Sequence, residues 1–86
     1  MFDRYIMSDM NYLVGTRIKR KRVELGITQA ELGQILGCTQ QMIQNYEVAY
    51  CAMPIEMLND FAILCKLPID WFLLDENELL VQIGYL

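Results

Sequence analysis

From residue 12 onward, the apolar positions follow a helical rhythm. Val14, Ile18 and Leu25, with Arg22 among them, recur at three- and four-residue spacing, the period of one helix face. This predicts a first helix from Tyr12, ended by Gly26 as a C-terminal cap. Thr28-Gln29-Ala30-Glu31 then forms a capping box, a hydroxyl for the free N–H groups and a Glu that reaches back. Leu32, Ile35 and Leu36 mark the buried face of a short second helix, and Gly37 stops it. Thr39 is a second N-cap, and Ile43, Tyr46 and Tyr50 give the inner face of a third helix over 39–50. Pro54 suits a helix start. Met57, Leu58, Phe61, Leu64 and Cys65 form a fourth apolar stripe, and Pro68 opens a short fifth helix through Trp71 and Phe72. The pattern predicts an all-α, compact five-helix domain over residues 12–74. Extensions over 1–11, which lacks a clear period, and 75–86 flank it.

Helices two and three have almost no chain between them, which forces a large angle at the turn. Gly37 supplies the unusual backbone angles, Gly33 lets the helices touch, and Cys38 closes a small shared core. Gly inside a helix costs up to about 1 kcal/mol against Ala, so close packing is the reason for Gly33. The outer face of the third helix carries Gln40, Gln41 and Gln44, with Asn45 beside them. Glutamine matches the paired acceptor and donor of adenine in the major groove of DNA. The start of a second, exposed helix is what reaches base edges in this geometry. Gln40, Gln41 and Gln44 are therefore the candidate base readers, on a helix that starts at Gln40. Thr28, Gln29 and Thr39 at helix starts, and Asn45 further along, are candidates for the sugar-phosphate backbone.

Charge sharpens this picture. The net charge is −4, yet six of the seven basic residues precede position 23. Arg17, Lys19, Arg20, Lys21 and Arg22 fall within one short run, and a local basic patch is what a phosphate backbone meets. Arg17, Arg20 and Lys21, at i, i+3 and i+4, are the candidate phosphate contacts of the first helix. Arg22 differs, because it lies on the apolar stripe and needs a buried partner. Glu47, one turn after Ile43 on the inner face of the third helix, is the partner this predicts.

The segment Thr28-Gln29-Ala30-Glu31-Leu32, then Gly37-Cys38-Thr39-Gln40-Gln41, then Ile43 and Tyr46-Glu47, resembles the lambda-repressor-like Cro/cI family. The resemblance runs from about Gly15 to Leu74, and Asp70-Trp71-Phe72-Leu73 is similar to the family's fifth helix. It implies a helix-turn-helix regulator of transcription, a repressor, that binds duplex DNA as a homodimer. It implies the Arg22–Glu47 pair as well. The Thr39-Gln40-Gln41 run looks like the reading head of some lambdoid phage repressors, whose matching glutamines contact bases. Two departures stand out. Val48-Ala49-Tyr50-Cys51-Ala52-Met53 has neither the Gly nor the basic residues with which family members often grip phosphate there. Lys66 stands where a helix-capping Gly is common.

Other function classes find little support. The chain has no His, no clustered carboxylates and no Gly-rich phosphate loop, so an enzyme has no candidate site. Cys38, Cys51 and Cys65 are far apart and odd in number, neither a metal pattern nor a disulfide framework. No cofactor or small-molecule substrate is implied. No apolar run reaches membrane-spanning length and the start lacks a signal layout, so a cytoplasmic protein is expected. The rival reading is a protein-interaction module, antitoxin-like or adaptor, on the same fold. Its support is the acidic second half and the apolar tail with Leu79, Leu80, Val81, Ile83, Tyr85 and Leu86. That tail is a candidate dimer contact, and Phe2, Tyr5 and Ile6 raise the same question.

Overall fold

Residues 2–11 contain neither Gly nor Pro, so nothing local stops a helix from extending back through them. In the computed structural model, which describes the backbone of residues 2–74 and the side chains of 10–74, the first helix α1 spans Phe2–Glu24. It thus begins ten residues before the Tyr12 expected from periodicity. The side chains of Phe2, Tyr5 and Ile6, and the tail from Asp75 to Leu86, lie outside the described residues. Four further helices follow: α2 (Gln29–Leu36), α3 (Gln40–Glu47), α4 (Ile55–Cys65) and α5 (Asp70–Leu73). The described residues contain no strand.

The helix ends form as their sequence dictates. Thr28 Oγ1 accepts from the Glu31 N–H at 3.0 Å, and Glu31 Oε1 accepts from the Thr28 N–H at 2.8 Å, completing the capping box. Thr39 Oγ1 accepts from the Met42 N–H at 3.1 Å. Gly37 takes the left-handed conformation at φ 78°, and the next N–H, of Cys38, bonds back to the Gly33 carbonyl at 2.8 Å. Lys66 closes α4 in the same left-handed region, at φ 60°.

Ile18, Leu32, Ile43, Leu58, Phe61 and Phe72 are fully buried and join all five helices in one core. The Phe61 and Phe72 rings lie 5.6 Å apart, tilted, within the favourable range for aromatic pairs. Two glycines permit backbone contact between helices. A Cβ on Gly33 would stand 2.7 Å from the Cys38 carbonyl oxygen, which bears out close packing at the turn. A Cβ on Gly15 would stand 2.4 Å from the Tyr46 carbonyl oxygen, so α1 crosses the end of α3 at the distance only Gly allows.

Four stripe assignments need correction. Ile35 is 54% exposed, because close packing at Gly33 turns the buried face of α2 toward Gly33 and Leu36. Tyr50 is 80% exposed and outside α3. The helix ends at Glu47, and Ala49 turns the chain at φ 65°, in the left-handed region. Leu25 and Leu64 lie exposed near helix ends rather than in the core.

Candidate nucleic-acid interface

Each residue of a helix advances about 100° round its axis. On α3 the buried residues Ile43, Tyr46 and Glu47 define the inner stripe. Gln41 and Asn45 stand roughly 160–200° from Ile43, at the centre of the outer face. Gln40 and Gln44 form a parallel ridge on its flank, about 60–100° round from Ile43. Gln40, Gln41 and Gln44 are exposed and Asn45 is half-buried. Gln41 Nε2 donates to Asn45 Oδ1 at 3.0 Å, one turn on. Asn45 therefore shares the central stripe with Gln41.

The outer face is held from beneath. Arg22 Nε donates to Glu47 Oε2 at 2.5 Å, and Arg22 Nη2 to Oε1 at 3.1 Å, the bidentate pair expected from facing stripes. The Glu47 side chain is 1% exposed and that of Arg22 12%. Arg22 Nη1 also donates to the Ile27 carbonyl at 2.9 Å, which ties the turn before α2 to the same pair. Gln29 Nε2 completes the cluster with a bond to Glu47 Oε1 at 3.0 Å. Its side chain is thus directed inward and not toward a phosphate, which leaves its backbone N–H at the α2 start as the group for an anion. Thr28 and Thr39 use their oxygens as cap acceptors, and each hydroxyl keeps its proton to donate.

The cations of α1 divide between two faces. Gly15 and Arg22, about 20° apart round the axis, face α3. Arg17, Arg20 and Lys21 lie roughly 140–240° away from Gly15, on the side of α5. All three approach the Trp71 ring, at 5.3, 5.6 and 4.7 Å from its centroid. Arg17 Nη1 also donates to the carbonyls of Trp71 and Leu74. Arg17, expected at a phosphate, thus gives both Nη1 protons to carbonyls, and its guanidinium ties α5 to α1. Arg20 and Lys21 both pair with Glu24, at 3.4 and 2.9 Å, and Arg20 is 65% exposed. The hydrogen bond from Lys21 holds the Glu24 carboxyl below its usual range. Lys19 is the residue this division brings forward. It is exposed and about 40° from Gly15, on the flank of α1 that adjoins α3. The basic run contained it, and its spacing from Gly15 and Arg22 is the signal that separates it from its neighbours.

The loop after α3 offers no charge. Val48, Tyr50 and Cys51 are exposed, and the Asn45 carbonyl accepts from the Tyr50 N–H at 2.8 Å. Burial pushes the thiols of Cys38 and Cys65 and the phenol of Tyr46 upward, so these groups stay neutral. An apolar cleft of about 110 Å³ lies between Val14, Ile18, Tyr46, Met53, Leu58 and Leu73. Ligand pockets run to roughly 300 Å³ and more with converging polar groups, so this cleft is small for a ligand site. Among the described residues no three His, Cys, Asp or Glu side chains converge. None of the described helices is long and apolar enough to cross a membrane.

Residues 18–72 match the model of a helix-turn-helix family. The chain is 36% identical over 62 residues to an uncharacterized HTH-type transcriptional regulator of Sinorhizobium medicae (strain WSM419). An HTH-type transcriptional regulator of Rhizobium meliloti (strain 1021) matches with the same identity and length. In both cases the match covers 72% of this chain and 45% of the relative, so the chain spans about half the length of these relatives.

Proposed function

The chain belongs to the lambda-repressor-like helix-turn-helix family, and on that premise we propose that it binds duplex DNA sequence-specifically and regulates transcription as a repressor. One observation carries the reading. A short helix, α3, is fixed from below by Ile43, Tyr46 and the buried Glu47, and presents four uncharged amides outward. Amide side chains at the start of an exposed helix offer paired donors and acceptors to base edges in the major groove. Gln40, Gln41 and Gln44 are the base readers. The α2 start, with the Thr28 hydroxyl and the Gln29 N–H, and the Thr39 hydroxyl at the α3 start are the backbone contacts. Lys19 joins them from α1. Arg20 and Lys21 reach phosphate only where the duplex also passes the α5 side. Repression by occupancy of a promoter requires no more than this.

One such helix covers few base pairs, so we propose a homodimer on two half-sites about 34 Å apart. Exposed Ile55 and Ile63 on α4 offer apolar surface for the contact, with the tail over 75–86 as the other candidate. Selection of bound sites from a random duplex pool tests the function. Enrichment of an inverted repeat with that spacing supports it. A chain that enriches no sequence and shows no salt-sensitive shift on any duplex would favour the adaptor reading.

A further inference from the structure

We propose that Asn45 is a positioning residue that makes Gln41 select adenine over guanine. The inference rests on α3 being the helix that enters the major groove. Gln41 Nε2 donates to Asn45 Oδ1 at 3.0 Å, and both residues stand on the central outer stripe. Asn45 is itself held in place. It is half-buried, and its backbone carbonyl accepts from the N–H groups of Tyr50 and Cys51 at 2.8 and 3.4 Å, which fixes the main chain that carries the side chain.

A primary amide has two N–H donors and one oxygen acceptor. With one N–H committed to Asn45, Gln41 presents one N–H and Oε1 to solvent. That pair matches adenine, which offers the N7 acceptor and the N6 donor side by side. It mismatches guanine, whose N7 and O6 are both acceptors. An unrestrained glutamine meets guanine by donating twice from its nitrogen. A glutamine tied to Asn45 has only one proton to give and turns its oxygen toward O6. Asn45 thereby contributes to specificity without touching a base.

The experiment uses the full chain and a selected site. The base pair read by Gln41 is the one whose preference Gln41→Ala erases. Wild type, Asn45→Ala and Asn45→Asp are then titrated on duplexes carrying adenine or guanine there, and each variant's thermal melt is recorded. The expected wild-type result is adenine over guanine by about 5- to 150-fold, the range for a good bidentate contact. Asn45→Ala brings the two close to parity. Asn45→Asp keeps the acceptor, so it keeps the ratio while weakening binding to both duplexes through its charge. Selection of guanine at that base pair would overturn the proposal, since Asn45 would then be the donor and Gln41 would offer two N–H groups. So would an unchanged ratio in Asn45→Ala. Failure of the underlying reading looks different: Gln41→Ala would then lose equally on every duplex.

Discussion

Glu47 accepts three hydrogen bonds from two side chains in a site almost closed to water. Removing one partner leaves the other charge buried, which costs far more than an exposed ion pair is worth. Arg22→Ala or Glu47→Ala should therefore lower unfolding free energy by about 3–5 kcal/mol in urea titration. A variant that unfolds at the parent midpoint would exclude the pair from the stability of the fold. Ala49 and Lys66 work in the other direction. A left-handed backbone costs a non-Gly residue about 1–2 kcal/mol, and Gly returns about 0.5–1 of that through its freer unfolded chain. Lys66→Gly and Ala49→Gly should each stabilise by about 0.5–1 kcal/mol, read as a raised urea midpoint. The ion pair was legible in the sequence because charges on apolar stripes stand out. Ala49 was not, because nothing in an Ala announces a positive φ. The clasp of Arg17 on α5 was silent for a related reason: its partners are backbone carbonyls near α5, and carbonyls leave no trace in residue type.

At the scale of elements, the tight α2–α3 turn was legible because capping hydroxyls and Gly37 are local signals. So was the close approach at Gly33, since a Gly in mid-helix asks for an explanation. Gly15 was silent, because its role depends on α1 meeting the end of α3, a non-local fact. Gly33→Ala should cost about 1–3 kcal/mol, as overpacking against the Cys38 carbonyl forces the helices apart. Thermal unfolding measures that cost, and DNA affinity should fall further than stability alone explains, because the angle between α2 and α3 opens. A Gly33→Ala protein as stable as wild type would mean the turn yields freely. The two faces of α1 make a second element-scale prediction. Trp71 is the chain's only tryptophan, and the cations of Arg17, Arg20 and Lys21 lie against it. Cation–π contacts are worth roughly 0.5 kcal/mol or more each. Trp71→Leu should destabilise by about 1–2 kcal/mol in the same melts, and Arg17→Ala should change Trp71 fluorescence in the folded state. An unaltered emission spectrum in Arg17→Ala would break the clasp between α1 and α5.

For the molecule as a whole, net charge is a poor guide to where an anion is met. Eight of the eleven acidic residues lie in α4, α5 and the two ends of the chain, while the interface proposed for DNA is built from helix starts, amides and Lys19. On that proposal, affinity rests on phosphate contacts that release counterions, and specificity rests on α3. Lys19→Ala should weaken binding to all duplexes about equally and lower the salt slope by roughly 1. The most direct measurement is the affinity of Gln40→Ala and Gln41→Ala for a selected site and for a scrambled duplex across a salt series. If α3 reads sequence, each variant loses roughly 1–3 kcal/mol on the selected site and little on the scrambled one, at unchanged salt slope. Equal losses on both duplexes would show that this helix does not read sequence.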